Sequence, residues 1–413
     1  MKDESLKIQV KNGLAILSRG RKFYSRSEAG ELESELWELR DLIGKLVKED
    51  LTLAIKSIHR FLELHKKIFE RIDDSDGTIA PIFHQLVEDL APMYQRLPPK
   101  DHTALPDVVF SMVVNNPYSI YDYVISDFAS VLGKPGLMRL EEKIRSTLDA
   151  LPENKKDDFD FSRYLYIDAL YNIADASLDV DHYIAIANEF GRHNEHESLE
   201  IGKRLVTAKR FGEALRYFQK IDESSNLRSD ALPFEIIALE ELNEKERAQN
   251  LRIQHLLRTL KKEQYEECLK HATNLGRTKK DLLSMIHNHK EDYRALVLLT
   301  EIKELSEAAK LVRIKREEWN GRFYYHLHPV ARDLEHQYPL ESTILYRLLI
   351  DDILARANSR YYHHAVAYLK KIEGLSTRIK TWGDMPTHQI YFAEFSKAHE
   401  KKPAFWRRYD EWR

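Results

Sequence analysis

The sequence predicts an all-α protein, an α-α superhelix built from antiparallel helix hairpins, and three observations support this. Glycine (14) and proline (13) are scarce in 413 residues, while charged residues reach 32%, a composition that favours helices. Apolar residues recur at spacings of three and four, as in Leu32, Leu36, Leu39, Ile43 and Leu46, which indicates one buried helix face. No segment alternates convincingly with the period of two that a half-buried strand shows, so we expect no sheet.

The middle of the chain carries two units that resemble tetratricopeptide repeats. Ala248 follows Ala214 by 34 residues, the period of such repeats. In such a unit small residues allow two helices to approach closely and an aromatic ring fills the gap between them. The landmarks of the first unit are Gly202, Leu205, Phe211, Ala214, Phe218 and Ile221. Segments 305–312 and 361–372 look like further second helices but lie off the 34-residue grid, so we expect a degenerate, TPR-like solenoid.

Turn signals divide the chain into three predicted regions. The segment LPENKKDDFD (151–160) is polar and charged and opens with a Leu-Pro pair, which favours a boundary there. We therefore expect an N-terminal helical region at 1–150, TPR-like helical repeats at 151–320, and C-terminal helical hairpins with a cap at 321–413.

Composition excludes several classes of protein. The net charge of −3, from 64 basic and 67 acidic residues, gives no overall field that would recruit nucleic acid or an anionic membrane. A single cysteine, Cys268, excludes a disulfide framework and a cysteine-based zinc finger. Its neighbours Glu266 and Glu267 predict a raised thiol pKa and hence a poor nucleophile. Neither a signal peptide nor a membrane-spanning stretch is evident, so we expect a cytoplasmic protein.

Four segments together resemble a known family: 61–90, 164–186, 344–372 and 387–406, in that order. They resemble a bacterial all-helical family of unknown function that is related to tetratricopeptide proteins, some relatives of which are associated with SWIM-type zinc fingers. The resemblance covers the chain from about Leu6 to Trp406 and implies a helical fold. It implies no catalytic or binding residue. The chain also lacks the cysteines that the finger would need.

The segment FERIDDSDGTIAPIF (69–83) clusters three aspartates around a glycine. An EF-hand calcium loop needs oxygen ligands at positions one, three and five, glycine at six and glutamate at twelve. With Gly77 at position six, Ile72 falls at one and Phe83 at twelve, so the loop fails at both ends. The pattern favours a corner between two helices, in which Thr78 caps the second helix and Pro81 occupies its first turn.

A sharper hypothesis makes the same corner a metal or acid–base site. His84 and Glu88 lie one turn apart on the helix that follows, so they could converge with Asp73, Asp74 and Asp76 on one ion or substrate. These five residues are the candidate site of the sequence. The alternative is a solvated helix cap, which is the commoner role of such a charged corner.

Eighteen histidines are present, and two pairs lie close together, His326 with His328 and His363 with His364. His388 and His399 are eleven residues apart and could share one helix face. Zinc ligands on one helix prefer a spacing of four. Side chains one or two residues apart on a helix point away from each other. Nothing fixes a third ligand for His388 and His399. We therefore expect surface or packed histidines, with no metal and no cofactor.

Two segments mix cations with aromatic residues, RGRKFYSRS (19–27) and FWRRYDEWR (405–413). Such mixtures can hold phosphates and stacked bases. The alternative, which the slightly acidic chain favours, is that the aromatic residues dock on neighbouring helices while the arginines stay in water. The aromatic residues concerned are Phe23, Phe405, Trp406 and Trp412.

The sequence thus predicts a non-enzymatic helical-repeat scaffold that binds a protein partner on its concave face. Some of its 21 tyrosines are expected to anchor that partner. Two alternatives stay open. A nucleic-acid-associated protein would need the Arg19–Arg26 and Arg407–Arg413 patches on one face, and a metal-assisted enzyme would use the Asp73–Glu88 corner. No membrane association is expected.

Overall fold

The computed structural model describes residues 5–152 and 161–411. These residues form 22 α-helices joined by short turns and contain no strand. A single isolated bridge links Tyr24 and Ile72. The prediction of an all-α protein is therefore confirmed. Most of the predicted boundary at 151–160 lies outside the described residues.

The chain forms two compact units, one ending at Glu197 and the other starting at Ser198. The first unit contains nine helices within the described residues and the start of a tenth. They are α1 (Leu6–Arg19), α2 (Ala29–Leu46), α3 (Leu51–Leu62), α4 (His65–Phe69), α5 (Ala80–Gln95), α6 (Leu105–Val114), α7 (Val124–Asp149), α8 (Phe161–Ala176), α9 (Val180–Phe190) and α10 (Glu195–Thr207), within which the division falls.

Helical periodicity explains the core of the first unit. All five residues of the predicted stripe on α2 are buried, and α2 packs against α1 and α3. Two phenylalanines join α3 to α5, because the rings of Phe61 and Phe83 meet edge to face at 5.8 Å. Helix α7 is interrupted at Gly133, whose φ of 56° is a left-handed conformation that glycine adopts without strain.

The second unit continues with twelve further helices among the described residues. They are α11 (Phe211–Phe218), α12 (Arg228–Glu241), α13 (Lys245–Thr259), α14 (Lys262–Lys270), α15 (Leu275–His287), α16 (Asp292–Glu301), α17 (Leu305–Ile314), α18 (Tyr324–Leu334), α19 (Pro339–Ala355), α20 (Tyr362–Ser376), α21 (His388–Ala398) and α22 (Pro403–Asp410).

Packing in the second unit uses small residues where helices approach closely. A Cβ at Gly202 would lie 2.4 Å from the ring of Phe218, so these two helices of the first predicted repeat unit touch through a glycine and an aromatic ring. Ala214 and Ala248 are both fully buried. At the C-terminal end, α20 packs against α19 and α22, and Phe405 of α22 is completely enclosed.

Candidate functional site

A surface pocket of the second unit lies between the start of α18, the second half of α19 and the start of α20. Its volume is about 460 Å³. The lining combines phenol rings, cations and a short apolar floor: Gly321, Arg322, Tyr324, Tyr325, Leu349, Asp352, Ile353, Arg356, Asn358, Tyr361 and His364. Such a mixture of apolar surface and a few polar groups is typical of binding sites.

A close backbone approach shapes this pocket. A short 3₁₀ turn, Gly321–Phe323, precedes α18, and the side chain of Asn320 accepts a hydrogen bond of 2.9 Å from the backbone N–H of Arg322. Gly321 lies directly against α19, because a Cβ there would be 2.1 Å from the carbonyl oxygen of Leu348. Only glycine fits at that distance, so the turn sets Arg322 and Tyr324 at the rim.

Behind the rim runs a row of polar rings. Tyr324 stacks on His328 at 5.2 Å between ring centres, His328 meets Tyr368 at 5.4 Å, and Tyr368 stacks on Tyr346 at 5.1 Å. The Tyr346 hydroxyl donates a hydrogen bond of 2.5 Å to Glu335. Burial lowers the pKa of His328, helped by the cations Arg332 and Lys371, so this ring is neutral at pH 7.

Charge in the pocket is uneven. Arg356 is paired with Asp352 at 2.9 Å, whereas the exposed Arg322 side chain has no ion-pair partner among the described residues. Burial and the neighbouring His363 lower the pKa of His364. The side chains of Tyr325 and Tyr361 are 87% and 50% exposed. The pocket therefore presents two exposed phenol rings beside one uncompensated cation.

The aspartates predicted as part of a site instead organise the corner before α5. Asp74 accepts hydrogen bonds from the backbone N–H groups of Thr78 (2.8 Å) and Ile79 (3.3 Å). Asp73 accepts from the backbone N–H of Ser75 at 3.3 Å. Gly77 has the left-handed φ of 67° that the turn requires. The expected cap by Thr78 is absent: the N-cap residue of α5 is Ile79, without a side-chain cap. The Asp74 carboxylate instead closes the turn that precedes the helix.

The third aspartate of the corner, Asp76, faces the segment before α2. Its carboxylate receives two hydrogen bonds from Arg26, at 3.0 Å and 2.5 Å. Arg26 holds the pKa of the Asp76 carboxyl below its ordinary value. A paired carboxylate of this kind is already compensated, and it connects 19–27, the first basic segment, to the corner.

His84 and Glu88 lie further along α5 and approach a different carboxylate. His84 Nε2 is 3.2 Å from the carbonyl oxygen of Ser119, and Glu88 accepts a hydrogen bond of 3.0 Å from Gln85. Burial raises the pKa of Asp127 to about 6, with Glu88 raising it further and His84 lowering it. The structure thus brings His84 and Glu88 near Asp127, while Asp73, Asp74 and Asp76 make their contacts at the corner.

Within residues 5–152 and 161–411, no group of three or more histidine, cysteine, aspartate or glutamate side chains is arranged to hold a metal ion. Cys268 is completely buried, and burial, more than the nearby Glu267, raises the pKa of its thiol to about 12. From the sequence we expected the neighbouring carboxylates to raise this pKa. The larger cause is that the buried thiol is removed from water.

The two basic segments are built differently. In the first, Lys22 pairs with Glu28 at 3.2 Å and Glu31 at 3.0 Å, and Phe23 is 60% exposed. The expectation that Phe23 docks on a helix is therefore wrong. The neighbouring Tyr24 forms the extended bridge to Ile72, and adjacent residues of an extended segment point to opposite sides.

In the second basic segment the aromatic residues do dock. Phe405 is buried and Trp406 is half-buried, while Trp412 lies outside the described residues. Arg407 and Arg408 line a cavity of about 350 Å³ together with His363, Val366 and Glu411. The arginines therefore remain at the surface, as expected.

The sequence contains a signal for the pocket that helical periodicity does not show. Both rim segments hold paired tyrosines followed by histidine, FYYHLH at 323–328 and RYYHH at 360–364. We expected these histidines to be surface or packed residues, and the tyrosines received no individual assignment. Three of these four tyrosines, Tyr324, Tyr325 and Tyr361, line one pocket, and the duplicated pair was the missed signal.

Fold and pocket together define an all-helical protein with an aromatic surface site. Each helix in the described part of the chain is too short or too polar to cross a bilayer. Residues 3–408 match the family of unknown function DUF6880, and the chain belongs to that family. No curated protein matches it.

Proposed function

We propose that the protein is a non-enzymatic, TPR-like helical scaffold that binds a protein partner through the tyrosine pocket of its second unit. The observation that carries this proposal is the pair of exposed phenol rings, Tyr325 and Tyr361, beside the uncompensated Arg322. Tyrosine and arginine are the residues most enriched where binding energy concentrates in interfaces. The 34-residue spacing of Ala214 and Ala248 and the Gly202–Phe218 contact support the repeat architecture.

The chemistry of the pocket indicates its ligand. Flat phenol faces and an apolar floor at Leu349 and Ile353 favour an apolar or aromatic anchor residue. Arg322 favours a carboxylate next to that anchor, since its planar fork pairs with carboxylates in a bidentate manner. We therefore expect a peptide segment of the partner that combines an apolar anchor with an acidic residue.

The test is affinity purification from the native host at moderate salt, followed by mass spectrometry and by direct titration of the purified partner. Tyr325→Ala, Tyr361→Ala and Arg322→Glu should each weaken binding at least tenfold, because they remove the anchors without touching the core. Tyr123→Ala and Arg19→Glu change equally exposed residues of the first unit and should leave the affinity unchanged.

The outcomes separate this proposal from its alternatives. Recovery of the chain without a stoichiometric protein partner, or binding that ignores the three pocket variants, would overturn it. Recovery with nucleic acid alone would favour the basic segments. Metal-dependent turnover lost in a Glu88→Gln variant would favour the enzyme alternative.

A further inference from the structure

A second surface, in the first unit, is a groove between α2 and α5 with a volume of about 770 Å³. We call it the α2/α5 groove. Its lining is Arg40, Asp41, Gly44, Lys45, Val47, Lys48, Gln85, Glu88, Asp89, Pro92, Met93 and Arg96. It belongs to the unit that ends at Glu197, so its residues are independent of those of the tyrosine pocket.

The acidic residues near one end of the groove are largely satisfied. Arg40 spans it and donates two hydrogen bonds to the carboxylate of Asp89, at 2.8 Å and 2.9 Å. Asp41 lies 3.3 Å from the same guanidinium, and Gln85 donates to Glu88 at 3.0 Å. Glu88 is thus the one carboxylate of the described groove that no cation offsets.

Three cations of the groove have no such compensation. Lys45 lies in the last turn of α2, Lys48 in the turn after it, and Arg96 directly after the last residue of α5. None of the three has an ion-pair partner among the described residues, and all three are exposed. Three unpaired positive charges therefore line the groove, where they favour an anionic partner and speed its approach.

The floor between these charges suits a helix. Val47, Pro92 and Met93 supply apolar surface. Gly44 adds no side chain and borders open space, since a Cβ there would meet nothing within 4 Å. Pro92 has no N–H, so the carbonyl of Glu88 lacks its usual helical donor. The stretch from Gln85 to Arg96 spans roughly 16 Å at 1.5 Å per residue, or about three helical turns.

We propose that the α2/α5 groove binds an acidic amphipathic helix of a partner protein, apolar stripe inward and carboxylates against Lys45, Lys48 and Arg96. Docking of an amphipathic helix in a groove is a recurring recognition mode. A helix fits better than a phosphate backbone, because its apolar stripe can cover Val47, Pro92 and Met93 in the groove, whereas a row of phosphates would leave that apolar surface against charge.

The test uses the full chain and synthetic 18-residue helices labelled with fluorescein. One peptide carries a leucine stripe flanked by glutamates, a second has lysine in place of each glutamate, and a third has a central proline. Fluorescence anisotropy should show the glutamate helix binding at least tenfold more tightly than either of the others, and more weakly at higher salt.

Matched variants identify the surface. The triple variant K45E/K48E/R96E should lose at least tenfold in affinity, whereas K11E/K66E/K100E, which changes the charge by the same amount elsewhere in the unit, should not. Gly44→Trp should block the groove. Gly30→Trp, on the same helix and equally free of neighbours, should bind as the unchanged chain does, and circular dichroism verifies that each variant is folded.

Several results would overturn the proposal: no binding of the glutamate helix, equal binding of the lysine helix, or equal binding by K45E/K48E/R96E. Self-association of the chain that disappears in Gly44→Trp would assign the groove to a second copy instead. RNA binding lost in the triple variant would assign it to nucleic acid. Tyr325→Ala should leave helix binding unchanged, so failure here and failure of the tyrosine pocket are distinguishable.

Discussion

The guanidinium of Arg347 lies 4.0 Å from the centre of the Tyr391 ring, and on α19 it is only 5% exposed. Trp382 lies 5.2 Å from the same guanidinium. Two N–H groups of Arg347 donate to the carbonyl oxygen of Pro386, each at 3.1 Å. A buried cation held between rings and a carbonyl ties α21 and the segment before it to α19.

Arg347→Met should therefore destabilise the second unit. The change removes two desolvated cation–π contacts and leaves the Pro386 carbonyl without its donors, and the relief of a buried charge offsets part of this loss. A net loss of about 2 kcal/mol is expected. Urea unfolding followed by circular dichroism measures it.

The comparison with lysine tests the physical cause. Arg347→Lys should cost at least as much as Arg347→Met, because an ammonium cannot stack as a plane and is more strongly hydrated. Arg332→Met, at a largely exposed position, should change little. A lysine variant as stable as the unchanged protein would show that charge, rather than the planar stack, holds the segment.

Gly321→Ala should both destabilise the protein and distort the tyrosine pocket. The added methyl would meet the carbonyl oxygen of Leu348 at 2.1 Å, and backbone cannot move aside as a side-chain tip can. We expect a loss of about 1 to 3 kcal/mol, as for other overpacked sites. Gly374→Ala in α20 is the control, since its Cβ meets nothing within 4 Å and alanine is the better helix former.

Local pattern was enough to predict the helices and the corner before α5, but the pocket required tertiary contacts. The stripe on α2 follows directly from a spacing of three and four residues, which is why Leu32 and Leu46 are buried as expected. Gly77 signalled the turn correctly. The bonds from Asp74 to the amides of Thr78 and Ile79, however, depend on where the turn places the carboxylate, and spacing alone does not show that.

Two other misses have the same origin. Phe23 is exposed because its neighbour Tyr24 forms a backbone bridge with Ile72, almost fifty residues away. Helical periodicity cannot predict a bridge between such distant residues. The tyrosine pocket joins segments near 322 and 361, which meet because Gly321 touches α19. The periodicity of each segment describes its own buried face and does not show which exposed faces share a cavity.

Variants of Asp74 distinguish a carboxylate that closes a turn from a ligand of a metal ion. Asp74→Ala should cost about 1 kcal/mol, the usual net value of a lost hydrogen bond, whereas Asp74→Asn should be close to neutral because an amide oxygen accepts the same backbone hydrogen bonds. Thermal unfolding of the untagged protein, with and without added calcium or zinc, provides the measurement. A metal-dependent rise in the midpoint that Asp74→Asn abolishes would contradict this role in closing the turn.

Asp127 should make the first unit less stable as the pH rises through the acidic range. Burial and Glu88 place the pKa of this carboxyl at about 6 in the folded protein, above its ordinary value near 3.9. The folded state therefore binds more protons than the unfolded state between about pH 4 and 6, and stability falls as pH rises across that window. Because the group is partly solvated, the effect should not exceed about 1 kcal/mol.

Carbon-13 NMR titration of the Asp127 carboxyl checks the cause directly. Glu88→Gln should lower the pKa of Asp127, because it removes a neighbouring negative charge, and His84→Ala should raise it, because it removes a ring that opposes the shift. Asp127→Asn should be more stable than the unchanged protein at pH 7 and gain nothing at pH 4. Equal Asp127 titration curves in the unchanged protein, Glu88→Gln and His84→Ala would mean that His84 and Glu88 do not act on Asp127. The cluster on α5 and α7 would then be three separate surface groups.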